Sequence, residues 1–246
     1  MIRHRVTGTS LGVFAATLAA AASAGEWGLG IGVAAQQTPQ IGTDPQVFVL
    51  PFPSYQGDRL SVDFASASYA LVQSEEFRFS LEGQLRFDGY DPDDSDELTG
   101  LKRRKMTFDA GLGLSITKDW GRLNVKLLGD AFGVHEGYEL STSYEYPVTI
   151  NRWTIVPSLG LTMPSDDLVQ YYYGVRVNEA NNRRPAYQGK SVVNAVLGVN
   201  VLYQLGDRWQ LMGGGQYVRL GDGITDSPII ERDHELTVYS AIVYRF

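Results

Sequence analysis

The stretch Glu76-Phe77-Arg78-Phe79-Ser80-Leu81-Glu82-Gly83-Gln84-Leu85-Arg86-Phe87-Asp88 alternates along its whole length between apolar and polar side chains. In an extended chain successive side chains point to opposite faces. Phe77, Phe79, Leu81, Leu85 and Phe87 therefore share one face, and Glu76, Arg78, Ser80, Glu82, Gln84, Arg86 and Asp88 share the other. One such strand would suit the solvent-washed side of a soluble sheet, but the pattern returns. Met106, Phe108, Ala110, Leu112, Leu114 and Ile116 alternate with Lys105, Thr107, Asp109, Ser115 and Thr117. Val193, Ala195, Leu197, Val199, Val201, Tyr203 and Leu205 alternate around Asn194, Asn200 and Gln204. Such runs reach the roughly 9 to 11 residues that carry a tilted strand across a bilayer, and exceed the roughly 5 or 6 of soluble strands. Length thus separates a barrel in lipid from a soluble sandwich.

The N-terminus carries Arg3 and Arg5, an uncharged apolar stretch from Val6 to Ala22, and Ala22-Ser23-Ala24 before Gly25. This reads as a secretory signal peptide over residues 1–24, followed by one domain over 25–246. Cleavage would remove two arginines and no acidic residue, making the mature chain more acidic than the full chain's −7. That charge disfavours nucleic acid as a partner. The chain has no cysteine, so an exported protein of this size has neither disulfide staples nor thiolate chemistry. After residue 24 no apolar stretch approaches the roughly 20 residues of a spanning helix. Strands that hide half their polarity in a lumen account for the slightly negative mean hydropathy of −0.15.

The connections sort into two kinds. Gln56 to Asp58, Ser74-Glu75, Lys118 to Gly121, Ile150-Asn151 and Gly206-Asp207 are tight, whereas 36–44, 89–103, 164–189 and 221–233 are long. Short periplasmic turns alternating with long outer loops imply an even number of strands. Segments 26–35, 45–55, 58–64, 67–73, 76–88, 104–117, 121–134, 136–150, 151–163, 190–205, 208–220 and 234–246 give an all-β, antiparallel, up-and-down transmembrane barrel of about twelve strands. The aromatic cluster at 171–177 is placed in a long loop to keep the parity. The last segment puts Leu236, Val238, Ile242, Tyr244 and Phe246 on one face and ends on the aromatic. Tyr244 and Phe246 are similar to the C-terminal signal by which outer-membrane barrels meet their assembly machinery. Aromatics near strand ends, among them Trp27, Tyr55, Trp120, Trp153 and Trp209, suit two interfacial girdles.

Several stretches resemble the MltA-interacting protein/OmpV family of outer-membrane proteins: Phe52-Pro53 with Tyr55, Gly57, Asp58 and Arg59; Asp130 with Gly133, His135 and Gly137; Tyr172-Tyr173-Gly174-Val175 followed by Arg184 and Tyr187; and Asp226-Ser227-Pro228. They follow the family's order across nearly the whole mature chain. Pro39-Gln40-Ile41-Gly42 departs from it, since the family tends to carry an aromatic between Pro and Gly. The resemblance implies a bacterial outer-membrane location and contact with lipid and lipopolysaccharide. It further implies a scaffold that links a peptidoglycan lytic transglycosylase to a peptidoglycan synthase, with osmotic or antibiotic response and adhesion among relatives.

The residues themselves call for no cofactor. Only His135 and His234 lie beyond the signal segment, and neither has a second histidine at metal-ligand spacing. Asp226, Ser227 and His234 raise the question of a lipid hydrolase, but Ser227-Pro228 in a Gly/Asp-rich loop reads as a turn. The acidic cluster Asp93, Asp94, Asp96 and Glu97 and the basic cluster Lys102, Arg103, Arg104 and Lys105 read as solvated loop charge, with lipopolysaccharide contact as the functional alternative. Glu76, Arg78, Glu82, Arg86, Asp88, Lys105, Asp109, Lys126 and Asp130 are the expected lumen residues, with Glu139, Glu145 and Arg245. Their mixed signs suit mutual pairing across a narrow lumen, and, as the alternative function, a weakly selective channel for small solutes or antibiotics.

Overall fold

The computed structural model describes residues 25–246, so the signal segment 1–24 lies outside the described residues. The strands are β1 (Glu26–Gln37), β2 (Gln46–Gln56), β3 (Leu60–Val62), β4 (Ser66–Gln73), β5 (Phe77–Arg86), β6 (Thr107–Lys118), β7 (Gly121–Asp130), β8 (Tyr138–Glu145), β9 (Val148–Ile150), β10 (Trp153–Pro164), β11 (Asn194–Leu205), β12 (Trp209–Arg219) and β13 (His234–Arg245). Each pairs antiparallel with its neighbours, and β1 pairs with both β2 and β13, which closes the sheet. β8 and β9 both lie on β10, separated by Tyr146 and Pro147. Pro147 has no N–H to give to a ladder, so one barrel strand is split there. Counted that way the wall has the twelve expected strands.

The alternation turns the apolar face outward. Leu29, Ile31, Leu81, Leu112, Leu159, Leu197 and Val238 are all exposed at mid-strand. In water such a belt would drive aggregation; around a closed barrel it is the lipid-facing surface. Trp27 packs on Tyr55, Trp120 on Tyr144, Trp153 on Tyr203, and Trp209 on Tyr244, all at the short-turn end. Tyr244 also meets Phe246, with ring centroids 5.1 Å apart. These pairs form one aromatic girdle. The tight turn after β9 uses Asn151 at φ 55°, a left-handed conformation that Asn accepts more readily than most residues.

The outer ends depart from expectation. Several expected strands run past the observed ends, because residues 87–106, 131–137, 165–193 and 220–233 leave the wall and pack on one another. The Tyr171 to Tyr173 cluster is not irregular loop: it closes helix α1 (Asp166–Tyr173), N-capped by Ser165 and burying Leu168, Val169, Tyr172 and Tyr173. A second short helix, α2 (Asp222–Thr225), packs beside it through Ile224. Among the described residues no helix is long and apolar enough to cross a membrane.

Placing arginine at Leu159, in the middle of β10 on the lipid face, is expected to cost about 2–4 kcal/mol of folding free energy in vesicles. Ser158→Ala, one residue away on the lumen face, is expected to change it by less than about 0.5 kcal/mol. Denaturant titration of both variants checks this, and equal losses would contradict the assignment of faces.

Candidate functional site

The lumen has two chemically different halves. On β4 to β8 the inward side chains are charged and paired. Arg86 sits between three carboxylates: 2.6 Å from Asp109, 2.7 Å from Asp88 and 3.5 Å from Glu139. Lys126 lies 3.2 Å from Glu82, and Arg122 3.6 Å from Glu145. Glu82 also accepts from Ser68 and Ser80, and Arg78 donates to Ser68 and to the Arg59 carbonyl. An isolated charge in so enclosed a space would cost several kcal/mol, and shared partners remove that cost.

Of the expected lumen residues, Arg78, Glu82, Arg86, Asp88, Asp109 and Lys126 belong to this lattice. Glu76 does not: it pairs with Lys118 at the exposed rim, beside a periplasmic turn. Lys105 is also exposed, because β6 begins only at Thr107. Asp130 stands opposite Asp109 in the β6–β7 register and accepts from Thr107 at 3.1 Å. Its carboxylate accepts from the backbone N–H groups of Phe132, His135 and Glu136 at 3.1, 2.5 and 2.9 Å, and so builds the 131–136 loop. Arg245 lies at the periplasmic end, bonded to Gln210 and 3.8 Å from Glu26.

Asp109, Asp130 and His135 converge closely enough to suggest a cation site. Their lone pairs are already committed. Asp109 receives Arg86 on one oxygen and His135 Nε2 on the other at 3.0 Å, and His135 Nδ1 accepts from the Gly137 N–H. The guanidinium of Arg86 supplies the positive charge that a metal would bring, so the cluster is an ion-pair lattice.

Above it sits the outer cap, where the family-motif residues gather. Tyr172 is fully buried against His135, and Tyr173 donates to Glu235. Ser227 donates to the Tyr173 carbonyl, Tyr187 donates to that of Gly223, and Gly137 passes so close to Ser165 and Leu168 that a side chain would clash. Gly174 ends α1, Asp226 ends α2 and Pro228 follows it. These positions hold loops together. Ser227 and His234 do not meet: His234 bonds to Asp233 and stacks on Tyr217.

Sequence reasoning assigned the basic cluster to solvent and so missed the cap's anchor. Arg104 is buried and makes a forked contact with Glu179, at 3.0 and 2.8 Å, while donating to the carbonyls of Lys102 and Tyr171. Burial opposes the charge on Glu179. The Arg104 fork and the N–H groups of Lys102 and Arg176 outweigh it and bring the carboxyl from its ordinary 4.5 down to about 2. Burial pushes the nearby Tyr90 hydroxyl up to about 12. Arg184, also buried, donates to the carbonyls of Glu97, Thr99 and Glu179. Only the spacing of Arg184 after the aromatic cluster hinted at this in the sequence.

Residues 29–246 match the family described as MltA-interacting protein MipA. The chain belongs to that family. Among its relatives, outer membrane protein Omp26La of Vibrio anguillarum is 29% identical over 78% of this chain and 76% of its own. MltA-interacting protein of Escherichia coli is 28% identical over 96% of this chain and 97% of its own. OmpV of Vibrio cholerae is 28% identical over 78% and 76%. Of solved structures, an outer membrane channel from Pseudomonas putida F1 is similar with a TM-score of 0.47 at 12% identity, over 92% of this chain and 97% of that one. This MipA-family barrel is a bacterial outer-membrane protein.

Glu179→Ala leaves Arg104 buried without its counter-charge, a change expected to cost about 3–5 kcal/mol locally. Trypsin at pH 7 is expected to cut the variant after Arg183 or Lys190 at least tenfold faster than the wild type. Because the folded pKa of Glu179 lies below its unfolded value, its contribution is complete above about pH 4.5 and is lost as pH falls through about 2. Pepsin should therefore spare the wild-type cap at pH 4 and open it near pH 2. Opening already at pH 5 would contradict the assignment.

Proposed function

We propose that this MipA-family barrel is a non-enzymatic scaffold on the periplasmic side of the outer membrane, holding peptidoglycan-remodelling enzymes, a lytic transglycosylase first and a peptidoglycan synthase with it. The observation that carries the reading is the densely packed cap at the long-loop end. Buried ion pairs fix the cap, and paired charges fill half the lumen, an arrangement suited to a rigid platform rather than a water-filled pore. A relative that bears the name MltA-interacting protein supports the choice of partner.

The surface left for such a partner is the periplasmic rim. Its turns are short, so they move little, and they present mixed charge through Asp58, Arg59, Asp119, Arg152, Asp207 and Arg208. Charges at a rim steer encounter and set specificity more than they add affinity.

Two measurements on the refolded barrel, its folding checked by heat-modifiable migration, test the proposal. Planar-bilayer recording is expected to be silent, and the immobilised barrel is expected to retain a purified lytic transglycosylase. Reversing Arg59, Arg152 and Arg208 to glutamate should weaken retention at least tenfold at low salt. Discrete openings with no retention would overturn the scaffold and favour a narrow solute channel.

A further inference from the structure

The second half of the lumen is more apolar, with Tyr239 donating to Asn200 at mid-height, and it is partly empty. Leu50, Gly32, Ala241, Met212 and Leu202 lie in one register row across β2, β1, β13, β12 and β11, all on the lumen side. In that row β1 contributes no side chain, and its nearest inward positions are Gly28, Gly30 and Ala34. A cavity of about 190 Å³ lies against this row. Leu50, Phe52, Leu202, Met212 and Val243 line it, and Gln56, Gln210 and Arg245 stand at its periplasmic end. An apolar cavity of about 150 Å³ is large enough to stay dry and take up a benzene-sized molecule.

The wall beside this cavity is incomplete. β2 runs from Gln46 to Gln56, but β3 pairs with it only at Tyr55 and Gln56. Above that point, on the side away from β1, no described strand pairs with 47–54. The β3–β4 hairpin stops at residues 63–65, where Ala65 accepts from the Leu85 N–H and Phe64 stacks on Phe87 at 6.0 Å. Above, the loops after β1 and β5 are joined by Ser95 donating to the Ile41 carbonyl. The result is a framed window at the level of the lipid-facing belt. Val47 and Val49 on its edge are 67% and 65% exposed, against 45% for Val33 on the neighbouring strand, as an absent neighbour requires.

The backbone of β2 is adapted to this gap. The Trp27 carbonyl accepts from Phe246 on β13, so odd positions of β1 face β13 and even positions face β2. Their register partners Gln46, Phe48, Leu50, Phe52 and Ser54 face back to β1. Positions 47, 49, 51 and 53 therefore face the window, and two of them, Pro51 and Pro53, have no N–H to leave unpaired in hydrocarbon. The same prolines block a strand from another copy, which would need those donors.

We infer that the window is a lateral port through which the end of a lipid acyl chain enters the apolar half of the lumen. The cavity wall includes Asp63, Phe64 and Ala65 of the hairpin tip, so the port and the cavity are continuous. The port opens into hydrocarbon, whose own chains are the apolar ligand at highest concentration there. A chain end would lie among Leu50, Phe52 and Met212, beside Tyr239, whose hydroxyl is already committed to Asn200.

The protein has no native cysteine, so Met212→Cys places one thiol in the cavity. In phospholipid vesicles, N-dodecylmaleimide is expected to label it at least tenfold faster than a sulfonated, membrane-impermeant maleimide supplied on both faces. Phe64→Ala should speed the dodecyl reaction by widening the port, and Ala241→Leu should slow it at least tenfold by filling the row, each in a barrel that still shows heat-modifiable migration. Equal rates for the two reagents would overturn the inference by showing an aqueous route along the lumen. No labelling of the folded barrel, with full labelling after unfolding, would overturn it by showing a sealed wall.

Discussion

Backbone hydrogen bonding in a medium without water is the constraint on which this structure depends. In hydrocarbon every N–H and C=O of a spanning segment must find a partner within the protein, and a sheet achieves this by closing on itself. The pairing of β1 with β13, unbroken from Gly28 with Arg245 to Gln37 with Leu236, is that closure. It forces strict alternation, so that Leu29, Ile31 and Val33 meet lipid while Gly28, Gly30 and Gly32 meet the lumen. It also makes the two exceptions informative. At Pro147 the break is bridged by β10 on the other side; along Gln46 to Ser54 the edge carries prolines at window-facing positions.

The lumen follows from what each strand turns inward. β5 to β8 bring Arg86, Asp109, Lys126, Glu139 and Glu145, and such charges are tolerable only in mutual contact. Across their middle β1 and β13 bring Gly28, Gly30, Gly32, Ala34, Ala241 and Val243, which cannot pair, and space remains beside them. The cap adds a second set of buried charges, Arg104 with Glu179, that ties the 87–106 loop to the segment after α1. Charge therefore closes the outer mouth and one side of the interior, while small residues keep the other side open.

Much of this was legible in the sequence, for physical reasons. A period of two over strands longer than soluble ones need, and turns that alternate short with long, pointed to the barrel and its twelve strands. The signs of Arg86, Asp109 and Lys126 already suggested pairing. Other features were not legible. Lys105 and Glu76 continue an alternation beyond the ends of their strands, and alternation alone does not reveal where a strand stops. Tyr171 to Tyr173 close a helix whose tertiary partners, Leu220 and Ile224, lie some fifty residues on. Arg104 looked like one of four solvated cations, because its partner Glu179 is far along the chain. The cavity was missed because attention to charge overlooks an absence of side chains; Gly28, Gly30 and Gly32 at alternate positions were the available signal.

The central claim is that the outer cap is as much a part of the folded barrel as its wall. Hydrogen exchange on the folded protein in micelles, read by peptide, tests it most directly. The account predicts that amides in 165–176 and 221–230 exchange as slowly as those of β6 and β11, opening only with the barrel. Exchange of those segments within seconds, against protected strands, would show a mobile lid over an open mouth and contradict it.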